Sequence, residues 1–218
     1  LFKTTLDGDH KLGASNAKID WSLGYSNILN NQPDQRKINY VQPNAGGAYV
    51  ASITNLGKEN ARFFSDLNEN IYSGKVDFKL PVKLFNQTSN LKVGIASQYR
   101  KRDFNARFLG VIIKDGTSDI RERPIQTLFG PNAINSGAFE LDEISAPNDN
   151  YNAHSYTNAG YVMLDNKLSD KLRVVYGVRV EKFDLKLNTL DPDQQQPRAE
   201  LNNTDFLPSV NITYTLTA

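Results

Sequence analysis

The chain has 218 residues, and its 25 Lys+Arg against 24 Asp+Glu give a net charge of +1. This near balance argues against a nucleic-acid protein that relies on a large basic excess. The absence of cysteine excludes disulfide scaffolds, CxxC redox sites and thiolate zinc sites. Because His10 and His154 are the only histidines, no HExxH motif is possible, and a histidine-based metal site would need carboxylate ligands.

The hydropathy of the chain leaves a membrane location open. No run approaches the ~18 apolar residues of a membrane-spanning helix, but the strands of a β-barrel carry a much weaker hydropathy signal. The chain begins at Leu1 without Met or a targeting peptide, and it ends at Ala218 on a strand-like run. We therefore expect a segment of a longer protein.

Runs in which apolar and polar residues alternate predict β-strands along the whole chain. Seven are predicted, at 1–6, 12–27, 74–84, 91–104, 156–167, 171–187 and 206–217. In the run Leu-Arg-Val-Val-Tyr-Gly-Val-Arg-Val at 172–180, one face is apolar throughout and the other carries both arginines. The runs 91–104 and 171–187 exceed the usual globular strand of about five or six residues.

The predicted connections alternate between short and long. Short turns are expected at 7–11, 85–90 and 169–170, and long polar stretches at 28–73, 105–155 and 188–205. Long loops are uncommon inside a compact soluble domain. Short turns at one end and long loops at the other are typical of an outer-membrane β-barrel.

The long stretches contain further predicted elements. Segments 37–41, 49–54 and 108–113 are expected to be strand extensions or loop hairpins, and 139–144 is predicted to form a short helix. The polar segment 191–197 is predicted to be a mobile loop tip.

A soluble β-sandwich also alternates apolar and polar residues, so alternation alone does not identify a barrel. The long strands, the rhythm of the connections and aromatic residues at strand ends favour the barrel. Those aromatics are Trp21, Tyr25, Phe85, Tyr99, Phe104, Phe183 and Tyr214. In a sandwich they would simply fill the core.

Charged residues occupy the polar faces of the predicted strands. In a barrel they would face the lumen or a plug domain, and in a sandwich they would be solvated. The candidates for lumen or plug contact are Lys75, Asp77, Lys79, Lys92, Arg100, Arg173, Arg179 and Glu181. Their mixed signs argue against a strongly ion-selective pore.

Basic residues cluster at 100–102 and at Arg121 and Arg123. Such runs are usually solvated; the functional alternative is contact with a substrate or with lipopolysaccharide phosphate at the outer rim. The candidates for substrate contact in the loops are Arg121, Arg123, Tyr151, His154 and Tyr156. No catalytic carboxylate pair, phosphate loop, GxSxG elbow or dinucleotide fingerprint occurs. We predict no enzyme activity, no metal and no cofactor.

Several stretches resemble the barrel of TonB-dependent outer-membrane receptors. The most specific are 158–181, which contains Tyr-Gly-Val-Arg-Val-Glu, and 203–214, Asn-Thr-Asp-Phe-Leu-Pro-Ser-Val-Asn-Ile-Thr-Tyr. Further similar stretches are 8–11 with 20–21, 33–36, and 64–71 before 76–78. The resemblance is weakest in 105–155, and the sequence pattern most resembles that of receptors of the Bacteroidetes.

The resemblance implies an all-β fold, with residues 1–218 forming an antiparallel arc of a barrel of about 22 strands. Such receptors have a plug domain, a TonB box and an aromatic C-terminal residue, and this sequence shows none of them. The implied function is uptake of a scarce nutrient across the Gram-negative outer membrane: siderophore-iron, a vitamin, a glycan or a peptide. The implied partners are the TonB system, the plug domain, outer-membrane lipid, the small nutrient ligand and a surface lipoprotein, with no nucleic acid.

Two other interpretations remain open at this stage. One is a complete small outer-membrane barrel, which needs an even strand count and a closing last strand. The other is a soluble β-sandwich that binds a ligand such as a carbohydrate, which should dissolve without detergent and stay monomeric.

Overall fold

The structure, a computed structural model, describes residues 1–13, 16–53, 58–84, 87–114, 118–128, 130–132, 137, 139–190, 193 and 198–216. The strands in this part of the chain are β1 (Phe2–Leu12), β2 (Ala17–Arg36), β3 (Tyr40–Val41), β4 (Val50–Ala51), β5 (Arg62–Leu84), β6 (Gln87–Ile113), β7 (Phe139–Glu143), β8 (Tyr151–Lys167), β9 (Leu172–Thr189) and β10 (Arg198–Tyr214). Two single-turn helices are α1 (Ser118–Arg121) and α2 (Ile125–Leu128). No helix among these residues is long and apolar enough to cross a membrane.

The long strands form one antiparallel sheet in the order β1-β2-β5-β6-β8-β9-β10. Strand β7 pairs with the last residues of β6, and β3 and β4 form a separate hairpin. The edge strands β1 and β10 are not paired with each other in the described part of the chain. The predicted all-β antiparallel class is confirmed, as an open arc with seven long strands.

The alternation of connections is confirmed. The connections β1–β2, β5–β6 and β8–β9 are short and lie at one end of the sheet, which we call the turn end. The connections 37–61, 114–150 and 190–197 all leave from the opposite end, the loop end. They are shorter than predicted because β2, β5, β6, β8, β9 and β10 extend into the stretches taken as loops. In these strand extensions the alternation of apolar and polar residues fades, because both faces are polar, while the backbone pairing continues.

The predicted turn at 7–11 is wrong. Strand β1 continues through this segment, and Gly8 pairs with Trp21 of β2. The indole ring lies against Gly8, where a Cβ would overlap it, so this glycine makes room for a ring within a strand. The chain turns only after β1, where Gly13 and Asn16 both have a φ of 53°.

The elements predicted inside the loops have mixed outcomes. Segments 37–41 and 49–54 contribute β3 and β4, which pair as a loop hairpin, and 108–113 is an extension of β6, so both expected kinds of element occur. The helix at 139–144 is wrong: this segment forms β7, because the free edge of β6 offers backbone partners that so short a helix lacks. The loop tip 191–197 lies outside the described residues except for Asp193.

Candidate binding face

One face of the sheet is a band of exposed apolar side chains, which we call the apolar face. Its members include Leu6, Leu23, Val76, Ile95, Val162, Val178 and Phe206, each between 39% and 71% exposed. No second sheet covers it within the described residues. An apolar surface of this extent needs lipid or another apolar surface against it.

A row of tyrosines closes this band toward the loop end. Tyr25, Tyr72, Tyr99 and Tyr156 lie directly opposite one another on four neighbouring strands. Their successive ring centroids are 5.0, 6.3 and 4.7 Å apart. The next position toward the loop end on the same face is polar on each strand: Asn27, Asn70, Lys101 and His154. Tyrosine combines a ring for lipid with a hydroxyl for water, so the row marks an interface.

The aromatic residues predicted at strand ends do not all belong to this interface. Trp21 lies on the apolar face within the band, and Tyr214 lies on that face at the turn end. Phe104 and Phe183 lie on the opposite face, because their positions are out of phase with the tyrosines on the same strands. Phe85 is outside the described residues.

The opposite side of the sheet, the polar face, carries the residues predicted to contact lumen or plug. Cross-strand register places all eight of them on it: Lys75, Asp77, Lys79, Lys92, Arg100, Arg173, Arg179 and Glu181. Two of these arginines form ion pairs with carboxylates: Arg173 Nη2 lies 2.6 Å from Asp165 Oδ2, and Arg179 Nη2 lies 2.7 Å from Glu181 Oε2.

Two rows of like charge cross the polar face near the turn end. Lys11, Lys18, Lys79 and Lys92 are directly opposite one another, and Asp9, Asp20 and Asp77 form the adjacent row. Like charges facing each other repel, and the neighbouring row of opposite sign offsets the repulsion. Lys92 Nζ lies 3.3 Å from Asp77 Oδ2, and the Tyr161 hydroxyl donates a hydrogen bond to Asp77.

A second charged cluster lies on the polar face beyond the level of the tyrosine row. Glu69 is only 2% exposed and accepts a hydrogen bond from Arg102 Nε. Arg100 Nε lies 3.6 Å from the same carboxylate, too far for a hydrogen bond. One buried negative charge therefore faces two guanidinium groups.

These features are those of a barrel wall, with lipid on one side and a polar interior on the other. A family model described as the outer membrane protein beta-barrel family matches residues 10–218. The chain belongs to this family. The protein is therefore an outer-membrane β-barrel protein, and its two faces have the character of the lipid-facing and interior-facing sides of a barrel wall.

The solved structures contain a relative of the same fold. The chain is similar to the ferric-catecholate import receptor Fiu from E. coli K12 in its closed form, with a TM-score of 0.52 and 12% sequence identity. The match covers 99% of this chain and 30% of that receptor chain. At this identity the similarity shows the fold alone. No curated protein matches the chain.

In this outer-membrane barrel protein, described residues of two loops pack together beyond the main sheet. Six buried apolar residues from loop 37–61, β6 and loop 114–150 pack into a cluster, the loop core: Ala51, Ile53, Val111, Ile120, Leu128 and Phe139. Tyr40 links the two loops by donating a hydrogen bond to the Arg123 carbonyl at 2.6 Å, and its burial raises the pKa of its hydroxyl. Lys58 pairs with Asp149 across the same two loops.

An ion-pair cluster supports the base of the loop core. Asp34, near the outer end of β2, accepts hydrogen bonds from Arg62 at 2.9 Å and from Arg36 at 2.6 Å. The hydrogen bonds from Arg62 and then Arg36 hold the pKa of the Asp34 carboxyl well below its usual range. The cluster ties β2 to the start of β5 where the loop leaves the sheet.

The predicted substrate-contact residues do not form one site. Arg121 and Arg123 are exposed in loop 114–150, and Tyr151 lies on the polar face, its ring 5.3 Å from that of Phe104. His154 and Tyr156 lie on the apolar face, Tyr156 in the tyrosine row. Of the three candidates on β8, Tyr151 alone lies on the polar face.

Sequence reasoning missed Glu69 and Tyr161 as members of the polar face. Continuing the alternation of β5 from Lys75 toward its start places Glu69 on the same face, so the signal was present but lay inside a stretch taken as a loop. Tyr161 pairs with Gly94 in the register, and nothing in its local sequence indicates its bond to Asp77.

Proposed function

We propose that this chain is a wall segment of a TonB-dependent receptor that takes up a scarce nutrient. The observation that carries the proposal is the loop core, which packs two long loops against each other and against Val111 near the loop end of β6. A receptor must hold its binding groups in a fixed arrangement, and binding residues concentrate on loops that a rigid scaffold positions. The fold that this chain shares with an import receptor over 99% of its length is the fold that the proposed function requires.

In this proposal the polar face contacts a plug domain and lumen water, and the loops bind the nutrient. The paired charges of the polar face suit contact with a folded plug, which would bury groups that are already neutralised. The TonB system would rearrange the plug, with no covalent chemistry. Siderophore-iron, a vitamin, a glycan and a peptide remain candidate nutrients, and a surface lipoprotein a candidate partner.

The other interpretations account less well for the structure. A complete small barrel needs its first and last strands to pair, yet β1 and β10 lie at opposite edges of the described sheet. A soluble sandwich needs a second sheet over the apolar face, and the described residues form none.

Deletion of the full-length gene in the source bacterium tests the proposal. Growth is measured while iron chelates, cobalamin, glycans or peptides in turn are the only supply of a limiting nutrient. We expect the deletion to abolish growth on one supply, and loss of TonB to do the same while the receptor is intact. Equal growth of the deletion and parent strains on every supply, or uptake that persists without TonB, would overturn it.

A further inference from the structure

A trough runs along β8 on the polar face, beyond the level of the tyrosine row. The β8 residues that form its floor are small: Ala153, Ser155 and Thr157. Their neighbours on β6 and β9 are large, and because adjacent strands are about 4.8 Å apart, the two walls stand roughly 10 Å apart. The trough has a volume of about 330 Å³.

The wall on β6 is basic. Arg100 and Arg102 line it, and both face the single carboxylate of Glu69. Arg102 Nε donates a hydrogen bond to this carboxylate, and Arg100 Nε is buried without a hydrogen-bond partner in the described part of the chain. The wall therefore has two guanidinium groups for one carboxylate, and the Arg100 side chain, which is 42% exposed, can pair an anion in the trough.

The wall on β9 is apolar. Phe183, Leu185 and Leu187 line it, and Tyr151 lies at the outer end of the trough. These three side chains are on the polar face, so contact with lipid does not explain them. A ligand that fits both walls must combine a negative charge on one edge with an apolar body.

We propose that this trough binds the anionic, partly apolar portion of a small-molecule ligand, such as an aromatic carboxylate or sulfonate. The carboxylate or sulfonate pairs with Arg100, and the ring packs against the β9 wall. The inference rests on the proposed receptor function and deepens it by naming the chemical class of the nutrient. An acidic side chain of a plug domain is the competing occupant.

The test uses the full-length receptor in detergent and two fluorescent probes with the same ring system. Anilinonaphthalene sulfonate carries a negative charge, and phenylnaphthylamine does not. Fluorescence titrations, referenced to protein-free micelles, compare the native protein with Arg100→Gln and Ser155→Phe. Lys101→Gln is the matched control, because it removes the same charge from the neighbouring position on the apolar face.

We expect Arg100→Gln to weaken binding of the sulfonate probe at least about fivefold, since a charge-assisted hydrogen bond is lost. The affinity for the neutral probe should stay within about twofold of the native value. Ser155→Phe fills the trough and should weaken the binding of both probes. Lys101→Gln should match the native protein. Heat-modifiable migration on a gel confirms that each variant is folded.

Three outcomes would overturn the inference. The first is equal weakening by Arg100→Gln and Lys101→Gln, which indicates a general charge effect. The second is unchanged sulfonate binding in both trough variants. The third is no saturable binding to the native protein, the result expected if the plug fills the trough. Because the titration needs no TonB, a failure here leaves the growth experiment to decide the receptor function independently.

Discussion

The phenol ring of Tyr161 on β8 lies over Gly94 on β6, and its hydroxyl reaches Asp77 on β5. The bond thus spans three strands of the barrel wall. It is possible only because Gly94 has no side chain: a Cβ there would overlap both the ring and the Asp77 carboxylate. Lys92 lies beside the same pair, with Nζ 5.6 Å from the centre of the Tyr161 ring.

Gly94→Ala should break this bridge. We expect it to lower the free energy of unfolding by about 1–3 kcal/mol, because the added methyl displaces the ring and leaves Asp77 without its hydroxyl donor. Denaturant unfolding in detergent measures the change. The control is Gly160→Ala on β8, where an added Cβ would contact nothing within 4 Å. Equal effects of the two variants would contradict the bridge.

The tyrosine row predicts that substitutions of Tyr99 lower the stability of the barrel by an amount that depends on whether the ring is kept. Its ring lies between those of Tyr72 and Tyr156. Tyr99→Ala should destabilise the barrel in a bilayer by about 1–2 kcal/mol through lost ring contacts and interfacial anchoring. Tyr99→Phe should retain most of that free energy, since the ring remains. Folding into vesicles measures both, and a Phe variant as unstable as the Ala variant would show that the hydroxyl, not the ring, matters.

The two faces predict opposite responses to a charge at neighbouring positions. Ile95 is 64% exposed on the apolar face, and Ala96 lies on the polar face. Ile95→Lys should cost about 2–4 kcal/mol, the cost of a lysine near the middle of the bilayer. Ala96→Lys should be tolerated in the outer membrane. Heat-modifiability and yield in the membrane fraction measure assembly, and similar losses for both variants would argue against the assignment of the faces.

The cluster around Asp34 predicts a pH dependence at the base of the loops. Because its pKa is lowered in the folded protein, its contribution to stability is full above the unfolded value of 3.8 and declines as the pH falls below it. Asp34→Asn should therefore destabilise the protein by about 1 kcal/mol at pH 7, and the difference should shrink in strong acid. Thermal unfolding of the native protein and of the variant, from pH 7 down to about pH 2, measures this difference in stability. Asp142→Asn, at an exposed β7 residue without an ion pair in the described structure, should have no such effect.

The sequence predicted the strands that cross the membrane because lipid and interior impose a period of two. The same rule assigned residues such as Lys75 and Arg179 to one face. It did not extend β2 to Arg36 or β5 back to Arg62, because outside the bilayer no apolar environment enforces the pattern. Pairs such as Asp77 with Tyr161 depend on the register of three strands, which local sequence does not encode.

The loop core also constrains how this protein can change its specificity. Ile53 comes from loop 37–61, whereas Ile120 and the fully buried Leu128 come from loop 114–150. Exchanging one loop alone would strip the other of its apolar partners and expose them to water. The two loops should therefore evolve together, and a new ligand preference would arise by paired substitutions in both. A chimaera that takes its loops from a related protein should exchange both segments at once.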